Sequence, residues 1–203
     1  ERREVEAICA RRRWSLEDGA RRIRYEFLRE VAERQSAGFL ALAHTADDQA
    51  ETVLLRLLRG TGLMGLGAIP IAREWGGVRV VRPLLQVWRR DIVAFLRAEG
   101  LPHREDATNA DRRLTRNRVR HELLPLLERE YNPHVKRALV QLAEQVRGDY
   151  AFLQQAAARS WKRIAKFSGT PATRPLHPEV SFSIRPFLRQ PTALQRQLVR
   201  QAI

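Results

Sequence analysis

Cysteine is almost missing: Cys9 is the only one in 203 residues. A single thiol rules out an internal disulfide and any zinc or iron–sulfur site assembled from several thiolates of this chain. It suits a reducing, cytoplasmic setting. Long apolar runs are missing as well: no stretch approaches the roughly 20 residues that span a bilayer, and no N-terminal apolar segment reads as a secretion signal. Internal repeats and low-complexity tracts are absent. Acidic charge is scarce, with 23 Asp and Glu against 37 Lys and Arg and a formal net charge of +14. Such a field attracts anions, phosphate above all, although a basic solvated surface has the same composition. With 44% hydrophobic residues the chain has material for a core and one or two domains. The opening "ERREVEAICARRR" already reads as a charged helix, as if the sequence were a piece of something longer.

Against that basic background, residues 44–51 pack His44, Asp47, Asp48 and Glu51 into eight positions. The elements around them set their context. "SLEDGARRIRYEFLREVAERQ" opens on Ser15 as N-cap and spaces Ala20, Ile23, Phe27, Leu28 and Val31 as the inner face of a helix whose outer face is rich in arginine. "GFLALAH" is a short apolar run, the pattern of a strand buried on both faces of a parallel sheet. "TADDQAETVLLRLLRG" follows at once, with Thr45 and Asp48 as a capping box, Val53, Leu54, Leu57 and Leu58 on the buried side, and Gly60 as the stop. This order predicts an α/β layer.

Gly60, Gly62 and Gly65 spell a G-x-G-x-x-G, but they follow a helix, whereas a dinucleotide fingerprint joins a strand to a helix. A C-cap followed by a turn is the plainer reading, with a glycine-rich loop over a site as the alternative. "VRVVRPLL" reads as a strand ending at Pro83, and "QVWRRDIVAFLRAEGLP" as a helix stopped by Gly100 and Pro102. "HREDATNADRRLTRNRVRHELLP" holds six arginines before Leu123 and reads as a loop feeding a helix. A long helical pattern then runs to about Phe167, with Leu139, Leu142, Val146, Phe152 and Leu153 apolar. A "VSFSI" strand and a helix opened by Pro191 complete the chain. The change from α/β to mostly helical sets a domain boundary, 1–130 and 131–203.

Asp48 and Glu51, three apart on a helix, share a face, and Asp47 lies beside them in the first turn. Two carboxylates on one face suit a hard cation such as Mg2+. A helix N-terminus favours acids by about 0.3–1 kcal/mol each without any ligand, which explains one acid better than three. His44 ends the strand, where open α/β sheets place their ligands; a histidine that merely caps the strand is the alternative.

The stretch "AHTADDQAETVLLRLLRGTGLMGL" resembles the H-x-x-D-D-Q-x-E-T block of the tRNA(Ile)-lysidine synthetase family of PP-loop ATPases. "ARRIRY", "RPLL" and "DATNADRRLTRNRVRHELLP", with its D-x-[ST]-N and R-N-x-x-R patterns, resemble the family's other blocks in the same order, across most of residues 15–133. The resemblance implies a PP-loop α/β domain with a parallel sheet, followed by a mostly helical domain that contacts tRNA. It implies ATP and Mg2+ as cofactors and tRNA(Ile) and L-lysine as substrates, and it leaves a homodimer open. In the implied reaction ATP adenylates the C2 oxygen of the wobble cytidine, and the lysine amine then displaces AMP to give lysidine. By the same resemblance His44, Asp48, Glu51, Asn109 and Arg120 are catalytic candidates. Asp48 and Glu51 would hold Mg2+ or the lysine ammonium, Asp47, Asp48 and Arg24 would serve the nucleotide, and Arg112, Arg113, Arg116 and Arg118 would meet RNA. Asp106 and Asn117 lie close by. Thr45 stands where the family often has a second histidine, which removes that ring's role and leaves that of His44. A PP-loop tRNA thiolase is the alternative within the superfamily, opposed by the lone Cys9; a noncatalytic basic RNA-binding module is the alternative outside it.

The family's S-G-G-x-D-S pyrophosphate loop, whose backbone amides would cradle ATP phosphates, does not occur in these residues. The 203 residues alone are therefore expected to bind ATP weakly and not to turn over. Lysidine formation by this chain at the rate of an intact enzyme would overturn that expectation.

Overall fold

The computed structural model describes residues 4–14, 16–103, 112, 114–168 and 179–202. Ser15, Asp106, Asn109 and Arg113, all singled out above, lie outside the described residues. The chain divides into two compact units, Glu1–Thr52 with Ile69–Lys136, and Val53–Ala68 with Arg137–Ile203.

The first unit opens with helices α1 (Val5–Arg12) and α2 (Leu16–Arg34), which pack closely where Gly19 meets the buried Cys9. Any Cβ at Gly19 would collide with Cys9 Sγ, so the lone cysteine is a packing residue. On α2 the predicted inner residue Ile23 is buried, while Arg21, Arg22 and Arg24 face solvent. Strand β1 (Phe39–Ala41) follows, then α3 (Ala46–Arg59), strands β2 (Ala72–Trp75) and β3 (Val78–Val81), and α5 (Arg89–Ala98). Helices α6 (Thr115–Arg118) and α7 (Leu124–Glu130) are joined by a π turn, Val119–Leu123.

The sheet runs β1-β3-β2. β1 lies parallel to β3, Leu40 opposite Val80, and β2 lies antiparallel to β3, Trp75 opposite Val78. The sheet is thus mixed rather than wholly parallel. Strand β2 has a sequence signal in Gly76-Gly77: both take positive φ, 57° and 81°, as a two-residue hairpin turn matched to strand twist demands. Val78 and Val80 face the core, each worth about 1.5–3 kcal/mol of burial. β1 is not buried on both faces. It is an edge strand, Phe39 is 66% exposed and Ala41 is also exposed, because among the described residues only β3 pairs with it.

The second unit holds the later turns of α3, the short helix α4 (Leu63–Leu66), the long α8 (Val135–Ile164) from Arg137 onward, the hairpin β4 (Ala165–Ser168) and β5 (Glu179–Phe182), and helices α9 (Ile184–Leu188) and α10 (Thr192–Ala202). Gly60, at φ 73°, stops α3, and Gly62 caps α4, so the glycine run is a C-cap and turn. Arg56 and Arg147 satisfy its carbonyls: Arg56 Nη1 donates to Gly65 O (2.6 Å) and Ala68 O (3.1 Å), and Arg147 Nη1 to Gly67 O (3.0 Å). Val53 and Leu54 are buried as expected, whereas Leu57 and Leu58 are exposed, since the cover over the earlier turn does not reach the end of α3. Leu139 and Val146 of α8 are core and Phe152 is exposed. The helix ends at Ile164 rather than near Phe167, because residues 165–168 pair with β5 instead. Trp161, Phe182 and Phe187 form an aromatic row, centroids 5.5 and 5.3 Å apart, that closes this hairpin onto its helix.

Candidate active site

Two backbone bonds fix the entry to α3. Leu42 N donates to Val81 O (2.9 Å) and Ala46 N to Val87 O (3.0 Å), so the helix starts at the carboxyl end of the parallel pair β1–β3. Thr45 and Asp48 then form the expected capping box: Asp48 Oδ2 accepts from Thr45 N (2.8 Å) and Oγ1 (2.9 Å), and Asp48 N donates to Thr45 Oγ1 (3.4 Å). A cap of this kind is worth about 1 kcal/mol. Asp47 caps a different helix. Its Oδ2 accepts from Arg89 N (2.8 Å) at the start of α5, where the N-cap Trp88 offers no side-chain acceptor, and Lys136 Nζ stands 4.0 Å from its Oδ1.

Glu51 takes no part in capping. Its side chain is only 1% exposed, which an isolated carboxylate could not sustain without pairing. Two arginines on the helical segment Thr115–Leu123 supply that pairing. Arg116 Nε donates to Glu51 Oε2 (2.8 Å) and its Nη2 to Asp48 Oδ1 (2.7 Å). Arg120 Nε donates to Glu51 Oε1 (2.5 Å), and its Nη2 to Glu51 Oε2 (3.1 Å) and, at 3.5 Å, to Asp48 Oδ1. Planar guanidinium forks suit such multiple contacts where a lysine would not. Burial lowers the proton affinity of Arg120, but the Glu51 hydrogen bond and the charges of Glu51, Asp48 and Asp47 outweigh it, so its pKa is raised. Arg120 lies inside the π turn, a local widening often found at functional sites.

His44 is half-buried beside this lattice. Burial lowers its pKa, Asp48 pulls the other way, and Arg82, Arg116 and Arg21 lower it further, so the ring is held neutral. Its Nδ1 is shielded from solvent and has no hydrogen-bond partner among the described residues.

A cavity of about 190 Å3 opens at this point, lined by Thr45, Asp47, Asp48, Glu51, Arg89, Arg120 and Lys136 with Ala43 and Leu124. Three predicted acids and Arg120 thus meet as expected. Arg116, expected to face RNA, is turned inward onto Asp48 and Glu51. Arg118 is exposed, Arg112 is exposed and lies 3.7 Å from Glu122, and Arg24 is exposed on α2 with no contact to the acids among the described residues. Asn117, beside Arg116, is buried. Arg89 and Lys136 were not foreseen; the only sequence signal for Arg89 is its place at a helix start, and none marks Lys136. Every oxygen of Asp48 and Glu51 already accepts an N–H or O–H, and two guanidiniums stand where a cation would sit. In this arrangement the pair does not fit Mg2+.

The PP-loop domain family matches residues 2–127. The chain belongs to that family. Relatives of this PP-loop chain include the tRNA(Ile)-lysidine synthases of Symbiobacterium thermophilum and Geobacter sulfurreducens, each 40% identical over 98% of this chain and 40% of the relative. That of Thermosynechococcus vestitus is 38% identical over 91% of this chain and 51% of its own. The chain therefore spans about two-fifths to half of these relatives. A solved U34-tRNA thiolase from Methanococcus maripaludis, with its [4Fe-4S] cluster, aligns with 61% of this chain and 41% of its own at 21% identity and a TM-score of 0.48. No helix among the described residues of the PP-loop chain is long and apolar enough to cross a membrane.

Removing Glu51 strands two guanidiniums that retain about a quarter of their exposure. Glu51→Ala is expected to cost about 3 kcal/mol, the lower end for breaking a buried pair, in urea denaturation; a loss below about 1 kcal/mol would reduce the lattice to surface ion pairs. For His44 the sign runs toward acid lability. Below about pH 6.5, the unfolded chain binds a proton at His44 that the folded chain resists. Stability should fall from pH 7 to pH 5, and the melting temperature of His44→Gln should fall less over that interval.

Proposed function

We propose that this chain carries the substrate-carboxylate half of an ATP-dependent tRNA-modifying site, which joins L-lysine to C2 of the wobble cytidine of tRNA(Ile). The observation that carries the reading is the Asp48–Glu51–Arg116–Arg120 lattice walling a small cavity of both charge signs at the carboxyl end of β1–β3. The names of the relatives, across 98% of the chain in two cases, support the same reading. At about 190 Å3 the cavity is below the roughly 300 Å3 at which pockets for drug-sized ligands begin. It suits an amino acid or one phosphoryl group rather than a whole nucleotide.

The chemistry has two displacements. The cytidine C2 oxygen attacks the α-phosphorus of ATP and pyrophosphate leaves; a lysine amine then attacks C2, the C2–O bond breaks and AMP leaves with the electron pair. Mg2+ bound with ATP would neutralise phosphate charge. Of the three acids, Asp47 is the least engaged, with Lys136 alone near its Oδ1 among the described residues, and is assigned to the lysine ammonium. Arg89, Arg120 and Lys136 line the same cavity and supply the positive field for a carboxylate or a departing phosphoryl group. Glu51 is a positioning residue that aims Arg116 and Arg120. His44, neutral, is assigned to the nucleotide or the reacting base as a hydrogen-bond partner. Asn109 keeps the role its motif implies.

The test is lysine-dependent AMP release by a protein that carries this chain together with a complete pyrophosphate loop. Asp47→Asn is expected to raise KM for lysine about 10- to 100-fold, the worth of one hydrogen bond to a charged group, with tRNA affinity and melting temperature retained. AMP release that requires a sulfur donor instead of lysine would overturn the reading in favour of a thiolase. Indifference to Asp47→Asn and Asp48→Asn would favour a noncatalytic module.

A further inference from the structure

A second group of charges lies in the first unit, on α1, α2 and the β2–β3 hairpin, and uses arginine differently. Arg12 and Arg22 each hold the guanidinium carbon 4.8 Å from the centre of the Trp14 ring. Arg21 and Arg73 do the same over Tyr25, at 5.5 and 5.3 Å, and Trp75 packs edge-on against Tyr25 at 5.2 Å. Arg21, Arg22 and Arg73 are exposed, and among the described residues none of the three has a carboxylate partner within 4 Å. Only Arg12 does, with Glu26 3.7 Å away.

The contrast with the lattice at Glu51 is chemical. There, the guanidiniums direct Nε and Nη2 onto carboxylates. Here ring faces hold the guanidiniums by cation–π attraction, which fixes their positions while leaving their in-plane N–H donors free for an anion. A cavity of about 320 Å3, walled by Arg21, Arg22, Tyr25, Glu26, Arg73 and Trp75, lies between them. Tyr25 Oη is shielded from solvent and has no hydrogen-bond partner among the described residues.

We infer that this arginine and aromatic face is an RNA-binding surface, which takes successive phosphodiesters on Arg21, Arg22 and Arg73 and stacks an unpaired base on Trp75. Four guanidiniums spread over three elements suit a chain of phosphates better than one closed anion. Rings between basic side chains are the pattern by which proteins hold unpaired nucleotides. An acidic protein segment would find the charges but have no use for the rings. The inference rests on the proposed tRNA-modifying function only for the identity of the RNA as tRNA.

The test measures binding of an anticodon stem-loop RNA to the 203-residue chain across a salt series, without ATP. In Arg22→Ala, Arg73→Ala and their combination, the slope of log affinity against log salt should shrink by about 0.7–0.9 per arginine. Trp75→Leu should weaken binding about tenfold, as loss of one stacked base does, with the slope unchanged. Arg97→Ala, an equal charge loss on the exposed face of α5, should change neither. Unaltered slopes in the arginine variants, or binding of polyglutamate in place of RNA with the same arginine dependence, would overturn the inference. Because no AMP is measured, failure here leaves the lysine-dependent reaction untouched, and failure of that reaction leaves this binding intact.

Discussion

Burial of the Glu51 carboxylate is the constraint on which the rest of the first unit turns. Removing an ionised carboxyl from water is affordable only with good hydrogen-bonding partners, and Arg116 and Arg120 provide three of the five N–H contacts of the lattice to Glu51 alone. Those arginines come from a helical segment 65 and 69 residues further along the chain. The segment Thr115–Leu123 is therefore held against the first turns of α3 by charge as well as by the apolar contact that buries Val119 and Leu124. Arg116, in α6, and Arg120, four residues on in the π turn, reach the same carboxylate.

The neighbouring polar residues extend this anchoring to other elements. Thr45 and Asp48 close the helix on itself, Asp47 caps α5, and the buried Gln49 accepts from Ile69 N at 2.9 Å. Asp47, Asp48 and Gln49, three consecutive positions, thus make three different connections, possible because successive residues of a helix point about 100° apart. The first turn of α3 is a hub before it is a site. Its acids are consequently oriented by groups that do not move independently, which is the condition for a preorganised electrostatic environment.

Much of this was legible in the residues and some was not. The capping box, Gly60 as a stop and the sharing of a face by Asp48 and Glu51 follow from local rules of spacing, and the structure has all three. Spacing alone says nothing about what a carboxylate faces across the fold. Arg116 and Arg118 look alike in sequence, yet one is turned into the lattice and the other to solvent, because two positions apart on α6 they point to nearly opposite sides of the helix. Lys136 reaches Asp47 through tertiary packing that leaves no mark in its own neighbourhood. Phe39, Leu57 and Leu58 read as core because an apolar pattern reports what could be covered; whether it is covered depends on where neighbouring elements end. The β2 strand does leave a mark, since Gly76-Gly77 between two short strands is a hairpin signal in its own right.

The same residue type does opposite work in two places, and the difference lies in what holds it. At Glu51, guanidiniums are paired with a buried carboxylate, so they fix geometry and lend the cavity a positive rim. On α1 and α2, guanidiniums lie on rings in water, where a surface ion pair would be worth little and would also spend the donors. Arginine held by an aromatic face keeps its full charge and its hydrogen bonds for something else. The net charge of +14 is thus not one uniform field, because Arg116 and Arg120 are balanced by Asp48 and Glu51 at the acid hub and the excess lies elsewhere. His44, beside that hub, is neutral because burial and the charges of Arg82, Arg116 and Arg21 outweigh the opposing pull of Asp48.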